Sequence, residues 1–180
     1  MVLIRIMSFS ELVKTRQSCR AYASREVSRE LIDRCLEAAR LAPSACNSQP
    51  WSFIVVDQEP LRSRLAEQCC TGLYSLNKFA LEAPVLIAMV TERSKYIARM
   101  GGMLRGVQYA LIDIGIAGEH LTLQAAELGL ESCWLGWFNE RAAKKLLDLP
   151  RSSKLDVIFT LGYPAEVRIR TKQRKSLDEI

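Results

Sequence analysis

The sequence predicts a single α+β domain over residues 1–180. Three observations carry that expectation: four segments of strand character lie between helices, apolar residues are numerous enough for a core, and Pro and Gly punctuate the boundaries. With 49% hydrophobic and 25% charged residues in 180, the chain can bury a core without disulfides or metal, and a disordered protein or a fibre is excluded. The elements follow in order. Ser10 is placed to cap a short helix through Arg16. Ser28 caps a longer one, with Val27 and Ile32 as a hydrophobic staple and Leu31, Cys35, Ala38 and Ala39 along one face. Pro43 stops that helix, and the polar stretch to Pro50 reads as a loop before a β-branched, aromatic strand at 52–57. Pro60 opens a helix to about Cys70, a short helical piece covers 74–81, and Val85 to Thr91 has the nearly continuous apolar pattern of a strand covered on both faces.

From Met103 to Leu128 the pattern predicts one helix of roughly 26 residues, about 39 Å long at ~1.5 Å per residue, apolar on nearly every side. Gly106, Gly115 and Gly118 would each cost about 1 kcal/mol in its interior, tolerable where another helix or backbone comes close. So long a buried helix in so short a chain points to the centre of a homodimer. Residues 132–138 then read as a strand, Asn139 caps a helix ending before Pro150, and 155–163 form the last strand.

Charge and thiol patterns narrow the function. The net charge is +5, and its excess sits at the ends: residues 1–30 hold six basic and three acidic side chains, and 168–180 hold five and two. Arg168, Arg170, Lys172, Arg174 and Lys175 have no aromatic residue among them, which favours a small phosphate over a nucleic acid; a solvated basic tail is the alternative. The six cysteines include no C-x-x-C pair and His120 is the only histidine, so no metal ligand set and no Ser-His or Cys-His nucleophile is expected. The longest uncharged apolar stretch in mid-chain, Ala83 to Thr91, is far short of a bilayer span. Neither a membrane span nor a signal peptide is expected, so the location is expected to be cytoplasmic, with reduced and mostly buried thiols.

Three segments then act together. Arg16-Gln17-Ser18-Cys19-Arg20, the loop Ala42-Pro43-Ser44-Ala45-Cys46-Asn47-Ser48-Gln49-Pro50-Trp51, and Leu161-Gly162-Tyr163-Pro164 followed by Lys172-Gln173-Arg174 resemble the FMN-dependent nitroreductase family of flavin oxidoreductases. The resemblance extends over about residues 9 to 178. It implies a mainly antiparallel four-stranded sheet flanked by helices, a long buried helix at a homodimer interface, and a tail able to add an edge strand to the partner. It also implies FMN as cofactor, with NADH or NADPH as transient reductant and a nitroaromatic, quinone or similar flat small molecule as acceptor in a ping-pong reaction.

By the same resemblance, Arg16, Ser18, Lys172 and Arg174 belong to the phosphate end of the cofactor site, Gln17 is a further cofactor-binding residue, and Arg20 is a cation tuning the flavin ring. Donors of these kinds hold a dianion by charge-assisted hydrogen bonds. Pro43, Ser44, Ala45, Asn47 and Gln49 would reach the partner's cofactor. Trp134, Leu135, Gly136 and Trp137 match the segment passing over the flavin, although this run on its own reads as a core strand. No side chain is expected to act as acid or base. The family's Asn and Lys near the ribityl chain find Asn77 and Lys78 only with a shift, so the sequence leaves those two roles open, and it leaves the acceptor unspecified. A family member with another flavin redox role, such as dehalogenation, flavin destruction or heterocycle oxidation, and a non-catalytic flavin-binding protein are the alternatives.

Overall fold

The computed structural model describes residues 7–92 and 106–180. It contains α1 (Phe9–Thr15), α2 (Arg29–Arg40), β1 (Trp51–Val56), α3 (Leu61–Cys70), a 3₁₀ segment (Gly72–Leu81), β2 (Val85–Thr91), α4 (Tyr109–Glu127), β3 (Glu131–Leu135), α5 (Glu140–Leu146) and β4 (Lys154–Gly162). The strands form one antiparallel sheet in the order β1-β2-β4-β3. The expected α+β class and four-stranded antiparallel sheet are therefore present.

Alternation along the strands sorts the core into two layers. Val85, Ile87 and Met89 face α2 and α4, meeting Ile32, Cys35 and Ala39 from one helix and Ile114, Ala117, Leu121 and Ala125 from the other. Leu86, Ala88 and Val90 face the opposite side, where Leu65, Ala66 and Cys69 of α3, Ala80 and Ala143 cover them. A bulge between Met89 and Val90 leaves Asp156 as an extra residue in β4, and Thr91 donates to its carboxylate at 2.7 Å. The same shift puts Leu155 on the α3 side and Val157 on the α4 side.

Several boundaries differ from the sequence reading. Ser8, not Ser10, caps α1, because Glu11 lies three residues on and closes a reciprocal capping box; the helix stops at Thr15 and Arg16 is its C-cap. The buried face of α2 is Ile32, Cys35 and Ala39, with Leu31 and Ala38 only half buried. The long helix is shorter than expected: Gly106 has φ +66 and Gln108 is extended at ψ 82, so α4 begins at Tyr109 and runs 19 residues. The expected start at Met103 lies outside the described residues. Nor is α4 buried all round within one chain, since Leu111 and Ile112 are exposed. β3 ends at Leu135, and Gly136 and Trp137 turn away from the ladder. The tail from Ala165 to Lys175 forms no strand and lies against its own chain.

Two of the three helix glycines differ in what surrounds them. A Cβ on Gly118 would stand 2.3 Å from Trp134 Cη2 and 2.9 Å from Phe159, so a bare backbone is required for α4 to lie on the sheet. Gly115 meets nothing within 4 Å. Gly118→Ala is expected to destabilise the fold by about 1–3 kcal/mol through overpacking, read as a lower urea midpoint, while Gly115→Ala leaves the folding of a single subunit unharmed.

Candidate functional site

The segment after α1 is a strap along the sheet edge. Ser18 pairs in parallel with Ser132, Cys19 N–H donates to Ser132 O at 2.9 Å, and Tyr22 pairs with Pro164. Tyr22 is buried and its hydroxyl lies 2.6 Å from that of Thr160, locking the strap over β4. Arg20 heads toward the C-terminal end of β3, with its guanidinium 6.0 Å from the Phe79 ring centre.

The basic tail folds back onto the strap. The Gln17 side chain is the latch: its Nε2 donates to Arg168 O at 2.6 Å and Glu131 Oε1 at 3.1 Å, while its Oε1 accepts from Arg170 N at 3.1 Å. Arg170 also donates to Ser18 O. Lys172 Nζ donates to two carbonyls at the end of α1, Val13 O at 2.5 Å and Arg16 O at 2.6 Å. The result is an open basin of about 420 Å³ lined by residues 16–18, Arg20 and residues 170–174. Arg16, Arg20, Arg170, Lys172 and Arg174 all border it, and Glu119 of α4 reaches Arg16 at 3.5 Å. Desolvation and the neighbouring positive charges of Arg16 and Arg174 lower the Lys172 pKa. Such a cluster repels itself until an anion enters, so the donor set fits a phosphate dianion.

The loop after α2 is a separate group. Cys46, Asn47 and Gln49 all have left-handed φ, at 53, 51 and 47°. Gln49 N–H donates to Ser44 Oγ at 2.9 Å and Gln49 Nε2 to Asn47 Oδ1 at 2.8 Å, so three of the expected site residues organise one another. Ala45 N–H donates to Asp113 Oδ1 of α4 at 3.0 Å. Pro43 follows Ala42, itself buried against the α2 side of the core. None of residues 43–49 borders the basic basin. Within one chain the structure thus gathers Arg16, Gln17, Ser18, Arg20, Lys172 and Arg174, and leaves Pro43, Ser44, Ala45, Asn47 and Gln49 elsewhere.

The third expected group divides. Trp134 packs edge-on against Phe159 at 4.6 Å between ring centres and fills the space over Gly118, and Leu135 is buried in the opposite layer. Both side chains are occupied in the core, so only backbone is on offer there. Gly136 is exposed and Trp137 is 58% exposed, edge-on to Tyr74 at 5.8 Å. Asn77 Nδ2 donates to Trp137 O at 2.7 Å and so holds this segment against the 3₁₀ turn.

Four further residues touch the strap or the loop without having been singled out for the site by the sequence. Arg170 was read only as part of the basic tail, although its alternation with Lys172 and Arg174 marks one face of an extended chain. Glu119, Asp113 and Phe79 carried weaker signals, the plainest being an acid inside the apolar run Leu111 to Ile116. Among the described residues no group of three His, Cys, Asp or Glu could hold a metal, and no helix is long and apolar enough to cross a membrane. His120 Nδ1 lies 3.2 Å from Ala38 O, joining α4 to α2.

Fold and site together define the class: a three-layer α+β domain whose sheet edge carries a basic strap with a donor set that fits a phosphate. The chain belongs to the nitroreductase family, whose model matches residues 13–163. It is similar to a candidate NADH dehydrogenase/NAD(P)H nitroreductase of Archaeoglobus fulgidus, 34% identical over 160 residues that cover 87% of this chain and 85% of the relative. It is also similar to iodotyrosine deiodinase of Thermotoga neapolitana, 28% identical over 174 residues, covering 86% and 87%. The solved structure of an FMN-dependent nitroreductase from Clostridium difficile matches with a TM-score of 0.69 and 27% identity, over 94% of this chain and 92% of that one.

All six cysteines are free and only Cys46 is exposed. Burial pushes the thiols of Cys35 and Cys69 up to about 12 and those of Cys19 and Cys70 up to about 11. Burial also raises Cys133, against the opposing pull of Arg20 and Arg16. Thiolate is the reactive form, so iodoacetamide at pH 8 is expected to modify the native protein once, at Cys46, and the remaining thiols only after unfolding. Rapid native modification of a second cysteine, mapped by peptide mass, would contradict the packing described.

Proposed function

We propose that the chain is an FMN-dependent oxidoreductase that works as a homodimer, with each cofactor site built from two copies. The observation that carries this reading is the basic basin on the strap, where Arg16, Lys172 and Arg174 crowd together with Ser18 beside them. FMN would supply the redox chemistry, accepting hydride from NADH or NADPH and then reducing a nitroaromatic, quinone or similar flat acceptor in a ping-pong sequence.

The protein's part is binding and electrostatics. Arg16, Lys172 and Arg174 hold the phosphate, Ser18 adds a hydroxyl, and Gln17 keeps the tail closed over it. Arg20, at the other end of the strap, places a fixed cation beside the ring and stabilises negative charge there. The backbone at Gly136, steadied by the Asn77 bond to the next residue, offers an N–H at the same end. Ser44, Asn47 and Gln49 come from the partner. No acid or base is required of a side chain.

The similarity to an iodotyrosine deiodinase favours one second reading, reductive dehalogenation by the same cofactor. Steady-state NAD(P)H oxidation with a quinone, set beside turnover of a halogenated tyrosine, separates the two.

FMN is expected to bind in preference to riboflavin and FAD, which lack a terminal phosphate monoester. Arg16→Ala and Arg174→Ala should each weaken FMN by about 1.5–3 kcal/mol, roughly tenfold or more, with little change in riboflavin affinity. Fluorescence titration of the apoprotein measures this, and unchanged FMN affinity in both variants would place the phosphate elsewhere.

A further inference from the structure

We infer that Asp113 is a positioning residue for the cofactor loop: from α4 it holds the Ala45 N–H, and through that peptide the conformation of residues 44–49. The inference rests on the reading that this loop reaches the cofactor of the partner subunit.

Asp113 is 3% exposed and sits in the run Leu111-Ile112-Asp113-Ile114. Its Oδ1 accepts from Ala45 N–H at 3.0 Å, whereas its Oδ2 is buried and finds no hydrogen-bond partner among the described residues. A carboxylate oxygen left unmet in the interior is unfavourable, and packing alone would be served better by another Leu or Ile. Inside the core the acid gives no packing that an apolar side chain would not. The loop does gain.

Cys46, Asn47 and Gln49 hold left-handed φ without being glycine, a conformation that persists only when its surroundings impose it. The bonds among Ser44, Asn47 and Gln49 fix the loop's shape within itself. The Ala45 peptide ties that shape to the scaffold: its N–H is held by Asp113, and its carbonyl accepts from the Ser48 hydroxyl at 2.6 Å and the Ser48 N–H at 3.0 Å. Asp113 thereby sets where Ser44 and Asn47 stand relative to α4. What it requires is an acceptor atom and not a charge.

That distinction makes the role testable in the FMN-loaded protein. Asp113→Asn keeps an acceptor and removes the charge, whereas Asp113→Leu fills the space and removes the acceptor. Asp113→Leu is expected to keep or raise the urea midpoint of the apoprotein while weakening FMN tenfold or more and shifting the bound-flavin absorbance toward that of free FMN. Asp113→Asn is expected to retain FMN affinity, flavin spectrum and turnover within about twofold. A structural role alone would lower the midpoint and leave the flavin spectrum untouched.

Wild-type FMN affinity and spectrum in Asp113→Leu would overturn the proposal, as would an Asp113→Asn variant as impaired as Asp113→Leu. If Asp113→Leu does not fold, amide exchange decides between wild type and Asp113→Asn. Equal protection of the peptide containing Ala45 is expected, and faster exchange in Asp113→Asn contradicts the acceptor role. Asn47→Ala is the control for the underlying reading. If it weakens FMN while Asp113→Leu does not, only the positioning role fails; if neither does, the loop is not part of the site and both fail.

Discussion

The close approach of Trp134 to the bare backbone at Gly118 sets the position of α4 on the sheet, and α4 in turn touches both halves of the candidate site. Glu119 reaches Arg16 at the basic strap, and Asp113 holds Ala45 in the loop after α2. These acids are six residues apart, about 9 Å along the axis and about 120° apart around it. One helix therefore aims the two halves in different directions, which explains why the basin of one chain contains no loop residue. In the proposed homodimer, a second copy meeting the exposed Leu111 and Ile112, beside a Gly115 that no described residue covers, would bring a basin and a loop together.

The strap carries two of the basin's cations. Arg16 lies among the cations of the tail, a setting that suits a phosphate, while Arg20, on the same basin, also meets the Phe79 ring at 6.0 Å. Backbone pairing to Ser132 and the buried Tyr22 hydroxyl fasten the strap to the sheet, so its position belongs to the sheet. In the proposed function the fold's part is to fix these charges on the sheet edge, and the redox chemistry would come from the cofactor.

Most of the fold was legible because local signals agreed with tertiary ones. β2 matched residue for residue, since a strand covered on both faces is uniformly apolar, and Asn139 caps α5 as expected. The misplaced cap at Ser10 was avoidable, as Ser8 with Glu11 is a complete capping-box pattern. The overlong helix had a different cause: apolar periodicity cannot reveal that Gly106 takes a positive φ. In the site, the resemblance points to the strap and tail, but not to which donors are already used. Nothing in the sequence says that Gln17 spends its amide on the tail, that the Trp134 ring fills the space over Gly118, or that Asp113 is the acid beneath the loop.

The central claim is that each site draws its strap from one chain and its loop from another, and subunit exchange tests it most directly. Arg20→Ala and Asn47→Ala proteins, each impaired alone, are mixed under conditions where exchange is verified by mass. If the site is shared, half of the dimers are mixed and each has one intact site, so turnover should recover to about a quarter of wild type. Verified heterodimers with no recovery over the separate variants would contradict the account.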